Sequence, residues 1–165
     1  MAKKTLIVLR HAKSSWQTTD ADQLRGLSER GERDAVAAGE ILADYDLDVV
    51  LASTATRVQL TWEGAESGGA ECEDVRAIKT IYQGTDEALL KQLQKLGESD
   101  NTVLLVGHQP GVADLILRLA KPNELTEKVA KKFPTCGLAV LTFSGTWKTL
   151  KEGKAKLERF EIARG

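Results

Sequence analysis

Two histidines are all this 165-residue chain contains, and each closes a run of strand-forming residues. His11 ends Thr5-Leu6-Ile7-Val8-Leu9-Arg10-His11, and His108 ends Thr102-Val103-Leu104-Leu105-Val106-Gly107-His108. In open α/β sheets, ligands gather in the crevice beyond the carboxyl ends of strands. Two separate stretches therefore aim an imidazole at the same kind of place. Arg10 stands immediately before the first. Its guanidinium offers five donors in a planar fork suited to phosphate oxygens, and burying it is costly unless it reaches water or an anion. The adjacent imidazole becomes a nucleophile when one ring nitrogen keeps its proton and the other presents a lone pair. The pairing points to an enzyme that handles phosphate.

Arg57 strengthens that reading. Ser53 and Thr54 offer caps for a helix in whose first turn Arg57 falls. A cation there opposes the helix macrodipole, costing about 0.3–1 kcal/mol if exposed. The placement makes sense when guanidinium and helix amino terminus share one anion. His108 lies between Gly107 and a Gln109-Pro110-Gly111 turn, where glycine lets backbone approach a ligand closely. Arg25 belongs to a polar loop and by itself reads as a surface charge. The chain has no G-x-x-x-x-G-K-[ST], no G-x-G-x-x-G and no G-x-S-x-G. His11, His108 and a carboxylate would make only a weak zinc site, since no H-E-x-x-H is present.

The elements that must position these groups alternate strand and helix. After the first strand, residues 16–25 read as a loop, and Ser28 caps a helix reaching about Tyr45 with Ala35, Ala38 and Leu42 inward. Residues 48–52 form a second strand, followed by a helix carrying Val58, Trp62 and Ala65 that Gly64, Gly68 and Gly69 end. A weaker strand lies near residues 74–78, and Thr85 caps a third helix that Gly97 stops. After the strand ending at His108, Pro110 opens a helix with Val112, Leu115, Ile116 and Leu119 on one face. Residues 121–134 read as a polar connection. Residues 137–143, 146–150 and 155–163 read as strands joined by turns that favour antiparallel pairing. The pattern predicts a three-layer α/β domain, parallel in its first part and antiparallel in its last, with residues 1–165 as one domain.

Composition narrows the classes. An apolar fraction of 42%, a charged fraction of 28% and a net charge of −1 describe an ordinary globular chain with no bulk pull toward nucleic acid or anionic membrane. Any anion site must come from local placement of a few arginines. Cys72 and Cys136 stand far apart with no metal or redox spacing, and read as free thiols. The amino-terminal apolar run is too short for a signal peptide, and no stretch suits a membrane span. The expectation is a cytoplasmic protein.

Together these residues resemble the histidine phosphatase superfamily, specifically its small SixA-type phosphohistidine phosphatase branch. Leu9-Arg10-His11-Ala12-Lys13-Ser14-Ser15-Trp16 is similar to the family's opening. Arg25-Gly26-Leu27-Ser28-Glu29-Arg30-Gly31 resembles its arginine-bearing loop, and residues 53–59 its second arginine motif. Val106-Gly107-His108-Gln109-Pro110 resembles its second histidine motif, and Phe133-Pro134-Thr135-Cys136-Gly137 its entry to a late strand. Two positions depart from the wider pattern: Ala12 replaces a glycine, and Gly26 stands where proline is usual.

The resemblance implies a phosphoglycerate mutase-like fold, a three-layer α/β/α domain with a mixed, mostly parallel central sheet. It implies His11 as the phosphoryl-accepting nucleophile, with Arg10, Arg25 and Arg57 holding phosphoryl oxygens. His108 would stabilise charge on the group in flight, and no cofactor or metal is needed. Larger relatives supply a glutamate acid between the second arginine and second histidine, where this chain offers Asp86 and Glu87. Acidic residues in a first helical turn equally complement the macrodipole. Only 50 residues separate Arg57 from His108, too few for a large lid, and an uncovered site suits a phosphohistidine on another folded protein. The expected activity is metal-independent hydrolysis of phosphohistidine on a signalling or phosphocarrier protein. A small-molecule phosphomonoesterase, a non-catalytic phosphoprotein-binding module and a zinc hydrolase are the alternatives. The sequence leaves the oligomeric state open.

Overall fold

The computed structural model describes residues 3–165. Its strands are β1 (Lys3–Arg10), β2 (Val49–Ser53), β3 (Val75–Ile78), β4 (Thr102–Gly107), β5 (Gly137–Ser144) and β6 (Lys156–Ile162). They form one sheet in the order β3-β2-β4-β1-β5-β6. β4 pairs in parallel with β1 and β2, and β2 with β3, whereas β5 pairs antiparallel with both β1 and β6. The expected mixed, mostly parallel sheet is what forms.

Leu6, Ile7, Val8 and Leu9 are all buried, as a strand covered on both faces requires. Side chains alternate between faces along a strand, and the core divides accordingly. Ile7 and Leu9 pack with α1 (Glu29–Leu42) and α2 (Thr56–Gly68). Leu6 and Val8 pack with α3 (Asp86–Gln94), α4 (Gly111–Leu119) and α5 (Glu124–Lys131). This is the three-layer α/β/α arrangement. Ser28 and Thr85 cap α1 and α3 as expected, accepting hydrogen bonds from the amides of Gly31 and Ala88.

Three local expectations fail for physical reasons. Gly64 does not stop α2; the helix runs on to Gly68, its last residue, and Gly69 caps it with φ +118°, yet Gly64 and Gly68 share a second use. They serve the packing of α1 on α2: a methyl carbon at Gly68 would sit 2.1 Å from the Val36 carbonyl oxygen, and one at Gly64 2.6 Å from the Ala35 methyl. The polar connection contains α5, opened by a capping box between Asn123 and Thr126 and anchored by buried Val129. Residues 146–150 turn instead of pairing. Trp147 is buried there edge-on to Phe143, and its indole N–H donates to the Asp100 carbonyl.

Gly39 makes the tightest contact between α1 and α2, where an added methyl carbon would lie 2.0 Å from the Ala65 carbonyl oxygen. Alanine normally favours a helix over glycine by about 1 kcal/mol. Here Gly39→Ala is expected instead to destabilise by roughly 1–3 kcal/mol through overpacking. Urea denaturation of the two proteins measures the sign directly.

Candidate active site

Arg10 pairs with Gly107 across β1 and β4, so the next residue of each strand falls alongside the other. The His11 amide donates to the Gly107 carbonyl at 3.1 Å. Adjacent strands lie about 4.8 Å apart, and the two imidazole centroids are 5.3 Å apart. The chain leaves β1 toward α1 on one face and leaves β4 toward α4 on the other. A crevice opens where neighbouring connections diverge in this way. Cys136, with φ +56°, turns its amide toward the Arg10 and His11 carbonyls and holds the strand end from the β5 side.

Hydrogen bonds assign both tautomers. His11 Nδ1 lies 2.7 Å from the Ala12 carbonyl, which can only accept, so Nδ1 carries the proton and Nε2 keeps its lone pair. His108 Nδ1 faces Arg57 Nη2 at 3.4 Å; because a guanidinium can only donate, this nitrogen accepts. Its Nε2–H then donates to Ser53 Oγ at 2.7 Å. Ser53 Oγ also accepts the Ala55 amide, so this hydroxyl orients His108 instead of capping α2, whose N-cap is Ala55. Burial foremost, with His108, Arg57 and Arg10 adding to it, brings His11 down to about 3. Burial and then Arg57 bring His108 down to about 4. Both imidazoles are neutral at physiological pH.

The three arginines converge on the same end of the sheet. Arg57 is 95% buried in the first turn of α2, and Arg25 is 94% buried. Arg25 donates to Ser14 Oγ and the Ser15 carbonyl, and its guanidinium lies 3.6 Å from the Trp16 ring centroid. Arg10 donates to the Phe133 carbonyl at 3.1 Å. Arg10 Nε and Arg57 Nε are buried without a hydrogen-bond partner among the described residues.

Asp22, one turn before Arg25, supplies the counter-charge. Its carboxylate accepts from Arg25 at 3.1 Å, Arg57 at 3.2 Å and the Tyr82 hydroxyl at 2.6 Å, and its carbonyl accepts from Arg57 at 2.8 Å. The Tyr82 bond foremost, with Arg25 and Arg57, lowers its carboxyl to about 2. Tyr82 also meets His108 edge-on at 5.4 Å. Sequence reasoning missed both residues. The separation of Asp22 from Arg25 by three positions was a usable signal, but the surrounding loop offered no periodicity to frame it.

These groups open into a cleft of about 390 Å3 lined by Arg10, His11, Arg25 and Arg57 together with the segment after α5. His108 stands behind Arg57, outside that lining. Asp86 and Glu87 are not brought in. Asp86 pairs with Arg118 of α4 at 3.3 Å, and Glu87 lines a different hollow beside Lys91. Both sit in the first turn of α3, where their charge complements the helix dipole. Among the described residues, no three His, Cys, Asp or Glu side chains cluster as metal ligands would. Nor is any helix there long and apolar enough to cross a membrane. Cys136 is buried and raised to about 12 by that burial, and Cys72 is a free thiol elsewhere.

Residues 6–89 match the family model of the histidine phosphatase superfamily (branch 1). A Mycobacterium tuberculosis protein with no assigned activity is 33% identical over 162 residues, covering 94% of this chain and all of that protein. A Nakamurella multipartitia structure described as a candidate phosphohistidine phosphatase SixA superposes with TM-score 0.89 at 26% identity, covering 99% of this chain and 98% of that one. A second candidate SixA structure, from Agrobacterium tumefaciens, gives TM-score 0.79 at 28% identity, covering 96% and 97%.

The depressed histidines make stability depend on pH. Unfolded, each binds a proton below about pH 6.5, whereas the folded protein holds His108 neutral to about 4 and His11 to about 3. Stability is therefore full above pH 6.5 and falls with acidification, by roughly 1.4 kcal/mol per pH unit per histidine. Denaturant unfolding of wild type and His11→Gln in phosphate-free buffer from pH 7.5 to 4.5 is expected to show the shallower slope in the variant.

Proposed function

The chain belongs to the histidine phosphatase superfamily, in its SixA-type branch, and from that membership we propose that it hydrolyses phosphohistidine on a protein by way of a phosphohistidine on His11. The observation that carries this is the His11 lone pair. Nε2 is left free by the Nδ1–H bond to Ala12, beside a second imidazole 5.3 Å away and guanidinium groups on the same cleft.

Phosphoryl transfer is mainly positioning plus stabilisation of negative charge spread over three oxygens. In the proposed reaction His11 Nε2 forms the new N–P bond as the substrate's N–P bond breaks, and the substrate imidazole, protonated from solvent on its other ring nitrogen, departs neutral. Arg10, Arg25 and Arg57 hold the phosphoryl oxygens, and Asp22 gives way as the counter-ion of Arg25 and Arg57. His108, neutral and oriented by Ser53, takes a proton more readily once a dianion offsets Arg57, and so follows the charge in transit. Water then cleaves the phosphoenzyme. A phosphorylated imidazole is already a good leaving group, so the reaction does not depend on Asp86 or Glu87. The reading calls for no metal, and a protein substrate suits a cleft with solvent-exposed walls.

Rapid chemical quench with a labelled phosphohistidine protein is expected to trap an acid-labile, base-stable phosphoenzyme in wild type and none in His11→Ala. A labelled intermediate persisting in the variant would remove His11 as nucleophile. Arg57→Ala is expected to lower kcat/KM by about 100- to 1,000-fold, the usual effect of losing one donor to a charged transition state. Higher kcat/KM on sugar or nucleotide monophosphates than on phosphohistidine protein would favour the small-molecule phosphomonoesterase.

A further inference from the structure

The cleft carries more positive charge than a phosphoryl group can use. Seven of its twelve lining residues are lysine or arginine, and none is acidic. Among the described residues only two carboxylates pair with the seven: Asp22 with Arg25 and Arg57, and Asp34 with Arg30 and Arg164. Arg10, Arg25 and Arg57 suffice for the phosphoryl oxygens. That leaves Lys13, Arg30, Lys132 and Arg164, all exposed, against buried Asp34. Glu29 stands in an adjoining hollow on the Lys13 side, but Arg33 shares that hollow and offsets it. The excess is local, because the whole chain has a net charge of −1.

The same rim carries Trp16, 76% exposed and stacked on Arg25. Tryptophan and arginine are the side chains that most often dominate binding energy at protein interfaces. A metabolite would be gripped by buried groups, and the buried cations here are those already assigned to the phosphoryl group. Exposed cations act over about 8 Å of electrolyte, which suits capture of a large charged surface. Building on the proposed phosphohistidine activity, we infer that the rim of Lys13, Trp16, Arg30, Lys132 and Arg164 is a docking surface for an acidic protein face surrounding the phosphorylated histidine. Charge complementarity of this kind raises encounter rates and selects partners.

Lys13 and Lys132 make no ion pair among the described residues, so reversing them breaks none. The test compares wild type with Lys13→Glu/Lys132→Glu on three substrate sets. These are histidine-phosphorylated proteins ranked by charge around the phosphohistidine, free phosphohistidine, and a panel of bisphosphorylated metabolites. For the acidic phosphoproteins, the double variant is expected to lose about tenfold or more in kcat/KM through KM. The wild-type advantage should shrink in about 0.3 M salt, where screening shortens to a few ångströms. Free phosphohistidine should change by less than about twofold. Equal losses on free phosphohistidine would place the lysines in the phosphoryl pocket, and losses confined to bisphosphorylated metabolites would make the rim a small-molecule subsite. Unchanged rates on acidic phosphoproteins would also overturn the inference. Failure of wild type to turn over any phosphoprotein is a different result, and would sink the proposed function itself.

Discussion

The hydrogen bond from the His11 amide to the Gly107 carbonyl is the point on which the site depends. It extends the β1–β4 ladder one step past the paired Arg10 and Gly107, and so fixes two residues 97 positions apart as lateral neighbours. Parallel strands cannot slip by one residue here, because that would send Leu6 and Val8 to the face now occupied by Ile7 and Leu9. The apolar core therefore sets the spacing of the imidazoles. β2 adds Ser53 from the far side of β4, and β5 adds the Cys136 amide from the far side of β1.

Around that frame the protein gathers positive charge and keeps the histidines out of it. Arg25 and Arg57 share one carboxylate, Asp22, while Arg10 donates to the Phe133 carbonyl, and burial together with the fields of Arg57 and Arg10 holds both imidazoles neutral. The arrangement is costly without an anion, since two guanidinium Nε–H groups are buried unpaired. In the proposed reaction a bound dianion offsets the guanidinium charge. Neutral histidine is also what a nucleophile requires, so the same burial that depresses basicity preserves the lone pair of His11.

Much of this was legible in the sequence where regular structure produced it. The apolar runs before His11 and His108 exposed the strand ends, and Ser28 and Thr85 marked helix starts that the structure keeps. Arg57 showed itself by being out of place in a first helical turn. Asp22 and Tyr82 did not, because each acts through contacts across the fold, Asp22 opening one 3-10 turn and Tyr82 closing another, each too short to show periodicity. α5 was hidden by its polar surface, although its Asn123–Thr126 capping box is a local signal. Trp147 reads as a strand residue by type, but a tertiary pocket and the Asp100 carbonyl claim it for a turn. Gly64 looks like a helix stop until the approach of α1 supplies its reason.

The Phe133 carbonyl that receives Arg10 belongs to the segment leaving α5, and its ring stacks on Phe160 of β6 at 5.5 Å. One wall of the cleft is thus supplied from the last third of the chain, through a peripheral helix and an edge strand, while His11, His108 and the three arginines come from the first two thirds. A protein assembled in this way can alter what it recognises by changing that outlying wall, and leave the imidazoles and guanidinium groups at the strand ends untouched.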